Sequence, residues 1–125
     1  MIHLDTHVAL WLVAGEKRRL RGVSKWLRKE PLFVSPIAVL EMELLRGMGR
    51  LRRPVADVVA VLTEDYDVEE AGGDLGEVVR AARSCSWTRD PFDRLIVAHA
   101  TFAKARLLTA DEAIRAHCAA AAWAD

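Results

Sequence analysis

The 125-residue chain carries 18 basic and 18 acidic residues, a formal net charge of zero, and 52% apolar residues. That length suits one domain with a core of its own, and the apolar share excludes a disordered chain. No apolar run nears the roughly 20 residues of a bilayer span, and zero net charge argues against a protein that holds nucleic acid by bulk electrostatics.

In chain order, Ile2–Leu4 reads as a short buried strand and residues 6–13 as a helix with Val8, Trp11 and Leu12 on one face, ended by Gly15. Residues 17–29 read as a basic amphipathic helix with Leu20, Val23 and Leu27 inward, closed by Pro31. Its seven Lys and Arg contrast with the acidic stretch from Asp57 to Glu77, so basic and acidic surfaces are expected apart. Leu32–Val34 is a second strand. Ser35 and Pro36 then supply an N-cap and a first helical residue. On the helix that follows, Ile37, Glu41, Leu44 and Leu45 share a face while Glu43 points elsewhere, and Gly47 and Gly49 loosen its end.

Residues 54–62 form a further helix, 66–68 a short strand and Leu75–Ala82 a helix. Asp90-Pro91 starts a helix running to about Lys104, and Leu107-Leu108 is the last clear strand before a helix beginning near Asp111. Short apolar strands alternating with helices imply an α/β fold with a parallel sheet covered on both faces. No repeat or linker divides residues 1–125, which are read as a single domain. The chain opens on a strand with no basic region and small-residue cleavage site ahead of it, so the expected location is cytoplasmic. Cys85 and Cys118 lie far apart and outside any C-x-x-C pair, which predicts reduced thiols rather than a zinc or dithiol site.

Four acids stand in apolar settings: Asp5, Glu41, Asp93 and Asp111. Asp5 and Asp111 each follow a strand, and in a parallel sheet the strands end at one edge, where ligands bind. Singly, three of the four have a structural explanation. Asp5 and Asp111 sit where helix starts favour negative charge, Asp93 lies in a first turn behind the Asp90-Pro91 cap, and Thr109 to Glu112 has the spacing of a capping box. Glu41 lies more than a turn inside its helix, where an ionised carboxylate is unfavourable by several kcal/mol unless compensated; Arg46 or Arg94 would be the plain structural partner. If the segments converge, four negative charges meet, and a bound cation makes that tolerable. Carboxylates without Cys or clustered His suit a hard ion, Mg²⁺ or Mn²⁺.

Together these stretches resemble the PIN-domain ribonucleases, in particular the VapC type of toxin in bacterial toxin–antitoxin pairs, over nearly the whole chain. Leu4-Asp5-Thr6-His7-Val8-Ala9-Leu10-Trp11 looks like the first acidic motif and Val34-Ser35-Pro36-Ile37-Ala38-Val39-Leu40-Glu41 like the second. Arg89-Asp90-Pro91-Phe92-Asp93-Arg94-Leu95-Ile96-Val97-Ala98-His99-Ala100 looks like the third and most specific, and Leu107-Leu108-Thr109-Ala110-Asp111 like the fourth. The resemblance implies a PIN-like three-layer α/β/α fold with a short-stranded parallel sheet. It implies an endoribonuclease that cuts single-stranded or looped RNA with a metal-activated water, leaving a 5′-phosphate and a 3′-hydroxyl. Asp5, Asp93 and Asp111 would be direct or water-mediated ligands of Mg²⁺ or Mn²⁺, with Glu41 a ligand or an orienter of water. Thr109 takes the family's small hydroxyl position, and Thr6 and Thr109 would hydrogen-bond the carboxylates. Asp90 is a supporting acid, a cap or an alternative ligand. Arg89 and Arg94 either hold substrate phosphates or pair with Asp90 or Glu41. Trp11, Trp26, Trp87 and Trp123 are read as core or interface anchors rather than base-stacking platforms, and His99 is given no catalytic role. A homodimer, and a cognate antitoxin whose segment covers the site, are further implications.

Two other functions compete. A phosphatase using Asp5 as nucleophile would want an acid two positions later, where His7 stands, and a phosphorylated receiver-like module would want adjacent acids after the first strand and a lysine after a late one. A PIN-like fold without catalysis, binding only RNA or protein partners, is the third possibility; the presence of all four acids counts against it.

Overall fold

Five short segments pair as parallel strands in the computed structural model, which describes residues 1–124: β1 (Ile2–Leu4), β2 (Leu32–Val34), β3 (Val68–Glu70), β4 (Arg106–Leu108) and β5 (Ala121–Ala122). Their order is β3-β2-β1-β4-β5. The central β1 is apolar but for His3 and buried throughout, as a strand covered on both faces must be. Eight helices cover the sheet in a three-layer α/β/α arrangement: α1 (Thr6–Ala14), α2 (Lys17–Leu20), α3 (Ser24–Lys29), α4 (Pro36–Gly47), α5 (Val55–Tyr66), α6 (Leu75–Ala82), α7 (Pro91–Phe102) and α8 (Glu112–His117).

The chain moves outward from β1 through β2 to β3, then returns to place β4 on the other side of β1. This reversal opens a crevice at the carboxyl ends of β1 and β4. Leu4 is in register with Val34 on one side and Leu108 on the other, so Asp5, Ser35 and Thr109 leave the sheet side by side. Alternation along β1 sends His3 toward α7, where its ring meets Phe33 at 6.0 Å and His99 edge-on at 5.2 Å. His3 is 2% exposed and neither ring nitrogen has a partner. Burial, helped by nearby His99, lowers its pKa to about 4. His99 in turn spans Ser35 Oγ at 2.7 Å and the Gly72 carbonyl at 2.8 Å.

Several elements differ from the sequence expectation. The basic segment 17–29 is not one helix: a 3₁₀ turn, Arg21–Val23, separates α2 from α3. Gly22 in that turn lies against the carboxyl-terminal segment, where a Cβ would come within 2.6 Å of the Ala124 Cβ. Leu20 and Val23 remain buried across the break. The expected strand at 66–68 starts later, because Tyr66 is the last residue of α5 and Asp67 stops that helix in the left-handed conformation, φ 56°. The resulting β3 is an edge strand with Val68 buried and Glu69 and Glu70 exposed, charges that blunt a sheet edge. The strand β5 went unrecognised in the sequence. In α4 the buried row is Ala38 and Met42; Ile37, Glu41 and Leu45 are half-buried beside it, and Leu44 is 47% exposed. Glu41 therefore borders the core rather than interrupting it. Among the described residues no helix is long and apolar enough to cross a membrane.

Candidate metal centre

Where β1 ends, the Asp5 backbone N–H continues the sheet pairing to the Leu108 carbonyl at 3.0 Å, and its side chain turns to cap α1. Oδ1 accepts the Thr6 N–H at 2.8 Å, and Oδ2 accepts the Thr109 hydroxyl at 2.6 Å. Thr109, fully buried just past β4, also accepts the Asp111 N–H at 3.1 Å through the same oxygen. Asp111 then caps α8 by accepting the Ile114 N–H at 3.0 Å. The expected capping box from Thr109 to Glu112 is therefore replaced by Asp111 as the cap, with Thr109 free to join Asp5 to Asp111.

On the opposite wall Asp90 caps α7, accepting the N–H groups of Phe92 at 2.8 Å and Asp93 at 3.4 Å, with Pro91 in the first helical position. Asp93 stands in that first turn. From α4, Glu41 accepts the Thr6 hydroxyl. Neither arginine considered as its partner serves it: Arg46 donates to the carbonyls of Leu51 and Arg52, and Arg94 Nε to the Cys85 carbonyl at 2.7 Å.

All five carboxylates, Asp5, Glu41, Asp90, Asp93 and Asp111, line one pocket of about 270 Å³ together with Thr6, His7, Leu10 and Leu45. Arg89 and Arg94 are not among its lining residues. Among the described residues no lysine or arginine forms an ion pair with any of the five; the one basic side chain within 4 Å of them is the His7 ring, whose Nε2 accepts the Ala110 N–H. The amino ends of α1, α7 and α8 abut the pocket, and their partial positive charge offsets some of the repulsion. Asp93 and Glu41 cap no helix. Burial, then Asp90, Asp5, Asp111 and Glu41 in that order, pushes Asp93 up to about 7. Burial also raises Glu41, opposed by its Thr6 hydrogen bond and reinforced by Asp5 and Asp90.

A lining of five carboxylates, to which only the His7 ring adds a nitrogen, fits a hard divalent cation better than zinc. The acids surround the space without converging on one point: among the described residues no three His, Cys, Asp or Glu side chains form a cluster ready to hold an ion. A larger cavity, about 850 Å³, lies elsewhere, walled mainly by alanines, Trp87, Cys85, Cys118 and His117, with Glu30 as its one carboxylate among the described residues. Its size exceeds that of the acid pocket, but it lacks the charge for the same chemistry. All four tryptophans pack against the main core as partly buried side chains.

Sequence reading assigned no role to His7, which lines the pocket. Its Nε2 accepts the Ala110 N–H at 3.1 Å and its Nδ1 lies 3.4 Å from Asp5 Oδ2. The available signal was its position in the first turn of a helix that Asp5 begins.

Comparison with known proteins adds to this geometry. The PIN domain family matches residues 2–119. Among solved structures, the fold is similar to a chain in the crystal structure of VapBC2 from Rickettsia felis bound to a DNA fragment from their promoter. The TM-score is 0.68 and the identity 14%, with 100% of each chain covered. No curated protein sequence matches this one.

Proposed function

Because the chain belongs to the PIN-domain family, we propose that it is a divalent-metal-dependent endoribonuclease of the VapC type, the toxin of a toxin–antitoxin pair. The observation that carries this reading is the pocket of five carboxylates, none of which is paired to a lysine or arginine among the described residues. Asp5, Asp93 and Asp111 would hold Mg²⁺ or Mn²⁺, with Glu41 as a further ligand or an orienter of water. Such an ion supplies an acidified water and neutralises charge on the scissile phosphate.

The protein's own groups prepare the site. Thr109 and the Thr6 N–H fix the two oxygens of Asp5, and the Thr6 hydroxyl fixes Glu41. Asp90 orders the turn that bears Asp93. Leu10 and Leu45 form the apolar part of the wall and limit water there. Asp93, with its pKa near neutrality, is ready to exchange a proton for a cation. Arg89 is exposed and available to a substrate phosphate; Arg94, anchored through Nε to a carbonyl, retains its terminal nitrogens for the same purpose.

The substrate is single-stranded or looped RNA, cut in the cytoplasm to a 5′-phosphate and a 3′-hydroxyl, and residues 1–125 act as one PIN domain. A cognate antitoxin covers the site and the toxin is a homodimer; the likeness to VapBC2 supports the antitoxin. A PIN-like module that binds without cutting is favoured by one observation, that no three side chains converge as a ready-made ion cluster.

One assay separates the two readings. Purified protein, incubated with a structured RNA in Mg²⁺ or Mn²⁺ and in excess chelator, should cleave only with metal. Asp5→Asn and Asp93→Asn should each lower the rate roughly 100-fold or more while keeping the native circular dichroism spectrum. Undiminished cleavage by both variants rejects the mechanism, and binding of RNA without cleavage by the native chain establishes the module.

A further inference from the structure

The geometry points to His7 as a positioning residue that sets the orientation of the Asp5 carboxylate and ties it to the turn bearing Asp111. The inference rests on the metal-centre reading above. His7 lies two residues after Asp5, and its ring faces the acid pocket. The Ala110 N–H donates to Nε2 at 3.1 Å, so that nitrogen carries no proton and the ring proton sits on Nδ1. Nδ1 in turn faces Asp5 Oδ2 at 3.4 Å. The ring cannot swing away freely, because Trp11 meets it edge-to-face with centroids 4.8 Å apart. Trp11 is itself held by Trp123 at 5.9 Å and by the Arg19 guanidinium at 4.9 Å.

This arrangement has a consequence for Asp5. Oδ1 is committed to the Thr6 N–H and Oδ2 accepts the Thr109 hydroxyl, while the His7 Nδ1 lies 3.4 Å from Oδ2 as an electrostatic contact rather than a hydrogen bond. Together these contacts hold the carboxylate in one orientation at the pocket wall. Through Ala110 the same ring also fixes the residue before Asp111, so one side chain bridges the turns after β1 and β4, across the crevice between them. Groups that orient metal ligands in this way typically contribute about 10- to 100-fold to metal affinity.

Two conservative replacements separate the two contacts. Asparagine places an amide donor near the position of Nδ1, and glutamine places an amide oxygen near that of Nε2. Mn²⁺ binding at one fixed pH, read from the electron paramagnetic resonance of free Mn²⁺, should weaken about 10-fold or more in His7→Ala. His7→Asn should recover most of that loss and His7→Gln should not. Recovery in His7→Gln but not in His7→Asn would overturn the proposal, since the ring would then merely prop the Ala110 turn; so would native affinity in His7→Ala. Thermal melts of the three variants identify any loss that comes from unfolding. The ring itself reports separately. In metal-free wild-type protein, long-range ¹H–¹⁵N correlation should find the proton on Nδ1, and a proton on Nε2 would overturn the proposal whatever the metal result. A wild type that binds no Mn²⁺ would instead bring down the metal centre, a failure told apart by that ring spectrum.

Discussion

The acid pocket at the carboxyl edge and the His3 layer beneath α7 both keep titratable groups away from water, and they answer burial in opposite ways. In the layer burial drives a base to its neutral form: His3 falls to about 4 and packs against Phe33 and His99, with neither ring nitrogen hydrogen-bonded. In the pocket burial acts on acids that also repel one another, so Asp93 rises to about 7 and the set remains short of positive charge. The first region is settled by losing a proton. The second keeps a charge that a proton on Asp93 or a bound cation would relieve. A buried ionisable group thus says little about function until its neighbours are counted.

The contrast is sharpest in its pH dependence. If Asp93 is a cation ligand it must shed its proton to bind, and Mn²⁺ affinity should then fall about tenfold for each pH unit below about 7. Isothermal titration over that range checks this, and the slope should flatten in Asp93→Asn; an unchanged slope would break the distinction between the two regions. Metal-free stability follows from the same shift. A carboxyl whose folded pKa is raised from 3.8 stabilises the fold below 3.8 and loses that contribution as pH rises through about 7. Added Mn²⁺ should therefore raise the melting temperature more at pH 8 than at pH 5.5.

His3 works in the other direction. Its folded pKa lies below the unfolded 6.5, so its contribution is complete above 6.5 and is lost as pH falls toward about 4. The full shift corresponds to at most about 3 kcal/mol. Denaturant titrations of wild type and His3→Phe should converge as pH rises above 6.5 and separate below it, with the variant the less sensitive to acid; Mn²⁺ should leave that separation in place. The smallest effect is expected at Asp90, where the cap matters more than the charge. Asp90→Ala should lower stability by about 1 kcal/mol through loss of the α7 cap, an effect that Asp90→Ser should largely restore in the same titrations.

Much of the fold was legible because the strongest local signals coincide with the elements that build the pocket. Leu4-Asp5 and Leu108-Thr109 mark strand ends, while Ser35-Pro36 and Asp90-Pro91 mark helix starts, and each follows from a preference that acts within a few residues. What stayed hidden depends on distant partners. β5 is two alanines, with no β-branched or aromatic side chain to announce a strand, and it forms by pairing with β4. The break at Gly22 accommodates Ala124, about a hundred residues further along the chain. Helical spacing put Leu44 on the same face as Glu41, yet the row that packs is Ala38 and Met42, because close approach to the core selects the small side chain and the flexible one. For the site, sequence reading nominated the acids and expected Thr6 and Thr109 to hydrogen-bond them; which carboxylate each threonine meets, and the place of His7, depend on residues remote in sequence, and no local rule gives them.

The central claim is that the five carboxylates line a pocket whose occupant is a divalent cation. Anomalous diffraction from crystals soaked in Mn²⁺ above pH 7 tests it most directly. The account predicts a Mn²⁺ peak in the pocket, coordinated directly or through water by Asp5 and by Asp93 or Asp111, and absent from Asp93→Asn crystals soaked alike. No peak there in wild-type crystals, or one unaltered by the substitution, would contradict it.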